Sequence, residues 1–590
     1  MESLYTFYKE QITIHKEKET KLKKQLLVSS MLRLVVFFST GFGIYVVFGN
    51  TKLVLAIVLV SIIIFLFLVS RHTDLQYKRD KVRAIIKGNQ VEVSVLNRDF
   101  HNLPNGQEFA NPMHYYSQDI DLFGKGSFYQ YSNRTALEQG SETLASIFTA
   151  NTITGIAEKQ EAVKELAKMP EWRQEFSAVA TLVKTDMSSE KITKWLQEYT
   201  PFVPKIMKQL PVVFSVVSAL LLGAYFLGFG SGILVAVWFF IGMGVTGGYV
   251  KKINKLSYST SKVQSVFHQY QKLLTIIEDT NFKADLLVAK KELITDKDKK
   301  ASAVLKRFAR ILSALDQRNN MIIGIFANGF LLWDLKQSYK IEHWIQEHGL
   351  AVEGWFSTIA FYDAYNSLGN FAFNHPSYTY PVLSKDDIVL KATNASHPLL
   401  DPKKGVTNDI TINKEQFFIV TGANMAGKST FLRTISLQIV MANMGLPVCG
   451  TEVIYNPIKL ITSMRTVDSL SDDESYFFSE LKRLKFIVDQ IQLDNYFIVL
   501  DEILKGTNST DKAIGSKKFV EKLVASKSTG IIATHDLSLC EAAEVITQIQ
   551  NHYFDAEIID DELYFDYKFK KGVCKNMNAS FLLKKMKIVD

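Results

Sequence analysis

Cysteine is scarce in this sequence: three residues in 590, Cys449, Cys540 and Cys574, with no C-x-x-C spacing. That excludes a disulfide framework and fits a reducing compartment. No His/Cys cluster has metal-ligand spacing. Proline is sparse at 12, and no tract is compositionally biased, which argues against long disordered segments. Neither sign of charge dominates. The 68 Lys+Arg and 60 Asp+Glu leave +8, which excludes an acidic disordered chain. No internal repeat is evident, and the length is too great for one compact core, so several domains are expected.

Charge is missing altogether from three runs: residues 34–51, 53–70 and 209–250, of 18, 18 and 42 residues. They account for a mean hydropathy of +0.04 in a chain that is 22% charged. A membrane-spanning helix takes about 20 apolar residues. The runs predict two transmembrane helical hairpins, at about 29–49 with 53–70 and at 211–228 with 231–250. Gly228, Gly230 and Ser231 break the second. Buried core helices are the alternative, but such helices rarely lack a polar face over two consecutive spans. Lys21, Lys23 and Lys24 precede the first hairpin, and Arg71, Lys78, Arg79, Lys81 and Arg83 follow it. Lys205 and Lys208 precede the second, and Lys251, Lys252 and Lys255 follow it. The connecting turns carry only Lys52. The positive-inside rule gives a multi-pass protein of the cell membrane with four spans, both termini and all large segments being cytoplasmic. The basic flanks suit anionic headgroups, so membrane lipid is an expected partner. Nucleic acid is the competing one.

Residues 416–441 read QFFIVTGANMAGKSTFLRTISLQIVM. A short apolar β-prone run leads into Gly422-x-x-x-x-Gly427-Lys428-Ser429, and an amphipathic helix opens at Ser429/Thr430. This is the strand–loop–helix context of a P-loop, or Walker A motif. Glycines let backbone N–H groups approach phosphate oxygens, and the helix N-terminus adds partial positive charge. The candidate nucleotide-binding residues are Gly422, Asn424, Met425, Ala426, Gly427, Lys428, Ser429 and Thr430. Lys428 is expected to reach the β- and γ-phosphates of ATP, and Ser429 to ligate Mg2+.

A second buried strand, YFIVLDE (496–502), ends in Asp501 and Glu502. Ligands bind at such strand ends in open α/β sheets. Asp501 is the second expected Mg2+ ligand, and Glu502 the base that orients and deprotonates water. A third strand, GIIATHD (530–536), places His535 at its tip as a γ-phosphate sensor. The catalytic candidates are therefore Glu502, Lys428 and His535.

The motifs resemble those of the MutS family of mismatch-repair ATPases. TGANMAGKST is similar to that family's TGPNMGGKST, with Ala423 and Ala426 replacing Pro and Gly. LDEILKGTNSTD (500–511) resembles LDEIGRGTSTYD, and ATHDLSL resembles ATHYFEL. VDSLSDDESYFFSEL (467–481) resembles DDLASGRSTFMVEM. By that likeness Ser475 takes the place of the serine that caps the partner subunit's nucleotide, which implies a homodimer through the ATPase domain. Asp473 and Glu474 replace Gly and Arg there, and two acids facing a γ-phosphate are unfavourable. NASHPLL (394–400) resembles the entry to the ATPase domain, and the segment 567–586 its close. More loosely, FYQYSNRTALEQGSETLASIF (128–148) and EKQEAVKEL (158–166) resemble the start of the family's core domain. The likeness does not reach residues 1–100, and the family's Phe-x-Glu mismatch wedge has no candidate there.

The expected fold class is an α/β P-loop ATPase domain, ABC-type and MutS-like, at 391–590. It follows a mainly α-helical core/lever region at 111–390 that carries the second transmembrane hairpin at 211–250. Residues 1–28 form a cytoplasmic lead, 29–70 the first hairpin, and 71–110 a connecting segment. There VEVSVL (91–96) reads as a strand and LPNG (103–106) as a turn. TDKDKKAS (295–302) reads as a turn between helices. The apolar run 321–333, too short to span, reads as core. So do the aromatic residues of 353–374. The expected function is a membrane-anchored ATPase with ATP and Mg2+ as cofactors, dimeric, with DNA binding implied by the resemblance alone. An ABC-type transport ATPase and a nucleotide-gated membrane scaffold with little turnover are the alternatives.

Overall fold

The computed structural model describes residues 2–183, 187–295, 300–465, 476–505, 507–559 and 562–575. Two long antiparallel helices open it: α1 (Glu2–Val46) and α2 (Thr51–Leu96). At 1.5 Å per residue each is roughly 70 Å long, over twice the hydrocarbon thickness of a bilayer. Asn50 caps α2, its side chain accepting the Leu53 N–H. The tip halves are apolar and exposed; the base halves are charged, with Arg83 reaching Glu19 at 2.8 Å. Both helices are long and apolar enough to cross a membrane.

The base of this hairpin packs on a helical body. Its principal helices are α3 (Glu138–Thr149), α4 (Pro170–Thr181), α5 (Leu210–Phe226), α6 (Gly232–Gly247), α7 (Val250–Asp279), α8 (Met321–Leu331) and α9 (Ala351–Asn374). Helix α9 is buried along most of its length, and Trp355, Phe356, Tyr362 and Phe371 lie in the core as expected.

The C-terminal part is built on six strands: β1 (Phe417–Gly422), β2 (Lys459–Ser463), β3 (Tyr496–Asp501), β4 (Thr529–Ala533), β5 (Ile549–Phe554) and β6 (Lys570–Lys571). Their order is β6-β5-β1-β4-β3-β2, parallel except for β6. Strand β1 is buried throughout, as parallel strands covered on both faces are. Helices α10 (Lys428–Asn443), α11 (Tyr476–Gln490) and α12 (Ser509–Ala525) accompany the sheet. A smaller four-stranded sheet contains Ile388–Ala395 and Asn408–Asn413, and the loop between them faces the P-loop.

Four expectations are corrected. VEVSVL is not a strand but the last turns of α2, because Glu92 and Val95 are buried against the body at helical spacing. The lead 1–28 is not separate from the first apolar run; the two form one helix. The second hairpin is shorter than expected: α5 has 17 residues and α6 has 16, each under the length of a full span. Helix α6 continues into α7 across a 65° bend, so the described residues hold two candidate spans, or three if that bent pair counts as one. Finally, 321–333 is not core. Helix α8 exposes Ile322, Ile323 and Phe326 and packs its other side on α6. Of the turn at 295–302, residues 296–299 lie outside the described ones.

Candidate active site

Three parallel strands end side by side. Val420 of β1 pairs with Ala533 of β4, and Ala533 pairs with Asp501 of β3. Strand β4 lies between the other two, so the residue beyond its tip can touch both neighbours. His535 does so.

The P-loop adopts backbone that most side chains resist. Gly427 has φ +101° and Met425 φ +67°. A Cβ on Gly422 would sit 2.6 Å from the Phe554 carbonyl oxygen, so β5 approaches too closely for any other residue. Lys428, at the start of α10, folds back under the loop. Its ammonium donates to the carbonyls of Gly422 at 2.8 Å and Ala423 at 3.0 Å, and lies 3.3 Å from His535 Nε2. Burial pushes the Lys428 pKa down, against the pull of Glu502 and Asp501. Ala426 is buried, whereas Asn424, Met425, Ser429 and Thr430 face outward.

The Ser429 hydroxyl donates to Asp501 Oδ2 at 2.6 Å. Burial raises the Asp501 pKa and this bond opposes the rise. Two hard oxygen donors are thus in contact, as a Mg2+ site completed by phosphate and water requires. Among the described residues no group of three or more His, Cys, Asp or Glu is arranged to hold a metal. Glu502 adopts φ +51°, and its Oε1 lies 2.9 Å from His535 Nε2. That hydrogen bond is the largest cause holding the Glu502 carboxyl at about 2; Lys505, 3.7 Å from Oε2, assists. The turn after β3 is fixed from α11: buried Glu480 accepts the N–H groups of Leu504 at 2.6 Å and Lys505 at 3.0 Å.

The P-loop residues Ala423 to Thr430 and Glu502 border a cavity of about 610 Å³. Its far wall comes from His397, Leu400, Asn408, Phe554 and Tyr567. Burial pushes His397 down to about 4, so it is a neutral ring at neutral pH. Sequence reasoning gave these residues no role, although NASHPLL and the segment from Tyr567 were both noted as motifs. Of the sequence candidates, Lys428, Ser429, Asp501, Glu502 and His535 come together. Ser475, Asp473 and Glu474 lie outside the described residues.

Residues 418–587 match the family MutS domain V. That stretch contains the P-loop and all three strand tips. Over this domain the chain is similar to the MutS family. It is similar to the human "MutS protein homolog 4", 30% identical over 194 residues, which are 31% of this chain and 20% of the relative. It is also 30% identical over 202 residues to "DNA mismatch repair protein MutS" of Thermotoga sp. (strain RQ2), covering 33% of this chain and 25% of that one. The protein of that name from Desulfatibacillum aliphaticivorans is 29% identical over 224 residues, 36% and 25% of the two chains. The chain therefore spans a fifth to a quarter of the length of these MutS relatives.

Proposed function

We propose that the chain is a membrane-anchored MutS-type ATPase that hydrolyses ATP with Mg2+. One observation carries the reading: Lys428, His535 and Glu502 form a chain of contacts at three strand tips, beside the Ser429–Asp501 pair. Lys428 leaves its carbonyl partners for the β- and γ-phosphates of ATP and stabilises the charge on the transferred group. Ser429 and Asp501 would hold Mg2+, which would supply further neutralisation of the phosphate oxygens. Glu502, kept ionised by His535, orients the attacking water and accepts its proton. His535 acts as a positioning group between base and lysine. The cavity wall of His397, Phe554 and Tyr567 takes the nucleoside.

Helices α1 and α2 cross the membrane once each, and the Lys and Arg at their base ends keep the ATPase and both termini cytoplasmic. ATP binding draws two copies together through the loop that holds Ser475. DNA is the further ligand suggested by the relatives named for DNA mismatch repair.

Purified protein in detergent tests the reaction by phosphate release. Lys428→Ala should lower turnover about 100-fold or more and weaken ATP binding. Glu502→Gln should lower turnover by at least about 100-fold while ATP still binds. Unchanged turnover in either variant would overturn the assignment. Gel shifts on branched and mismatched duplexes across a salt series test the DNA reading, because genuine phosphate contacts weaken steeply with salt.

A further inference from the structure

Helices α5, α6 and α8 form a compact unit whose polarity is inverted relative to a soluble core. Its polar groups point inward. The Ser218 hydroxyl donates to the Phe330 carbonyl at 2.7 Å and accepts from Trp238 Nε1 at 2.8 Å. Its apolar side chains point out. Phe229 is 88% exposed at the tip, and Ile322 is 71% exposed on α8. The helices meet through backbone: a Cβ on Gly242 would lie 2.4 Å from the Gly329 carbonyl oxygen. Small residues at a crossing are the usual means of packing helices in lipid.

The tips of the two apolar hairpins differ. The α1–α2 turn carries Asn50, Thr51 and Lys52, groups that need water. The α5–α6 turn is Leu227-Gly228-Phe229-Gly230-Ser231, with no charge. Three of its five backbone N–H groups are paired from within. The Leu227 N–H donates to Gly223 O, Gly228 to Tyr225 O and Phe229 to Ala224 O, while the Ser231 hydroxyl accepts the Ile233 N–H. Internal satisfaction is what hydrocarbon demands of a backbone. At 17 and 16 residues the helices reach roughly 25 Å, short of a core about 30 Å thick. The foot of the unit carries the exposed Lys205, Lys208, Lys251, Lys252 and Lys255, a charge match for anionic headgroups. Helix α7, which leaves the unit, is tied to the foot of the long hairpin where Lys272 lies 3.2 Å from the centre of the Tyr77 ring.

We infer that α5, α6 and α8 form a re-entrant membrane module. It enters the hydrocarbon from the cytoplasmic face, keeps its tip there and returns without crossing, with lipid acyl chains covering its outer face. The inference rests on the reading that the chain sits at a membrane, and it replaces two of the four spans that hydropathy alone suggests.

Cysteine substitutions in the full-length chain test it, with labelling of the native Cys449, Cys540 and Cys574 in the parental chain subtracted as background. Intact cells are treated with a membrane-impermeant maleimide. Phe48→Cys, at the tip of the first hairpin, should label from outside; Phe229→Cys should not. In inside-out vesicles Phe229→Cys should again resist labelling, and should react once detergent is added. A fluorophore attached to the Phe229→Cys or Ile322→Cys variant should be quenched by phospholipids spin-labelled in their acyl chains. Labelling of Phe229→Cys from outside would overturn the inference in favour of spanning. Labelling from the cytoplasmic side without quenching would place the tip in water and overturn it too. So would cross-linking between copies through Ile322→Cys without quenching, because a second copy would then cover the face. If Phe48→Cys fails to label from outside while Phe229→Cys is quenched, the crossing of α1 and α2 fails and the re-entrant module stands.

Discussion

At Glu502 four influences meet: His535, Lys505 and Lys428, which favour its charge, and burial, which disfavours it. The hydrogen bond from His535 is the largest, and the carboxyl is held at about 2 against an ordinary 4.5. Its left-handed φ of +51° costs about 1–3 kcal/mol, which the surrounding turn must offset. A depressed acid stabilises the fold above its unfolded pKa and loses that contribution as pH falls through its folded one. Glutamine cannot ionise. The melting temperature of the wild type should therefore exceed that of Glu502→Gln by its full margin above pH 4.5, and the margin should shrink between there and pH 2. Paired thermal melts in detergent across this range check it. A margin that stays constant would mean that His535 does not hold the carboxylate.

Among the elements, the start of α3 explains a motif that the sequence offered only as a likeness. Asp363 of α9 is fully buried, and its Oδ2 accepts the N–H groups of Ala136 at 3.0 Å and Leu137 at 2.9 Å. These N–H groups open α3 and have no helical partner. A Cβ on Gly140 would lie 2.1 Å from that same Oδ2, so the carboxylate reaches its donors only over a glycine. Gly140→Ala should cost about 1–3 kcal/mol as an overpacked site. The check is a lowered melting temperature with ATP binding unchanged, since Gly140 lies outside the nucleotide site. Elements of this kind mark the limit of what the sequence discloses. A β-prone run ending in Asp501-Glu502, or leading into GxxxxGKS, carries its chemistry within a few residues and can be read directly. His397 and Tyr567 are 170 positions apart and meet only once the smaller sheet and the last strands are in place. VEVSVL alternates as a strand would, yet α2 runs through it because Glu92 and Val95 find partners in the body. The 321–333 run is too short to span and so reads as core, yet α6 covers only one side of it and Ile322, Ile323 and Phe326 stay exposed.

Across the whole molecule, the P-loop helix and the long hairpin are both fastened to the helical body by polar contacts, half-buried at the first and buried at the second. Arg433 of α10 donates to the Asp119 carbonyl at 3.1 Å and pairs with Asp121, which also holds Arg465 at 2.7 Å. Arg483 of α11 donates to the Tyr115 carbonyl at 2.6 Å. These contacts join the helices α10 and α11 to residues 115–121. At the other end of the body, Glu92 of α2 pairs with Arg134 at 2.6 Å and accepts from Asn370 at 3.0 Å and Asn374 at 2.8 Å. Tyr8 of α1 donates to the same Asn374 at 2.6 Å. Both helices of the hairpin thus share one network with α9, whose Asp363 fixes α3. Among the described residues Glu92 is its only carboxylate, and its loss leaves the Arg134 guanidinium with the Asn133 carbonyl alone and takes the acceptor from two amides. Removing one partner of such a buried pair costs about 3–5 kcal/mol. Glu92→Ala should lower the melting temperature and open the base of the hairpin to protease between Asp74 and Gln90, while the exposed control Glu10→Ala changes neither. Glu92→Gln keeps the shape and one acceptor, so it should fall between the two. If ATP turnover also falls in Glu92→Ala at a temperature where the body remains folded, the membrane hairpin and the ATPase are mechanically joined through α9. If turnover is unchanged while the base opens, the hairpin is a tether and nothing more.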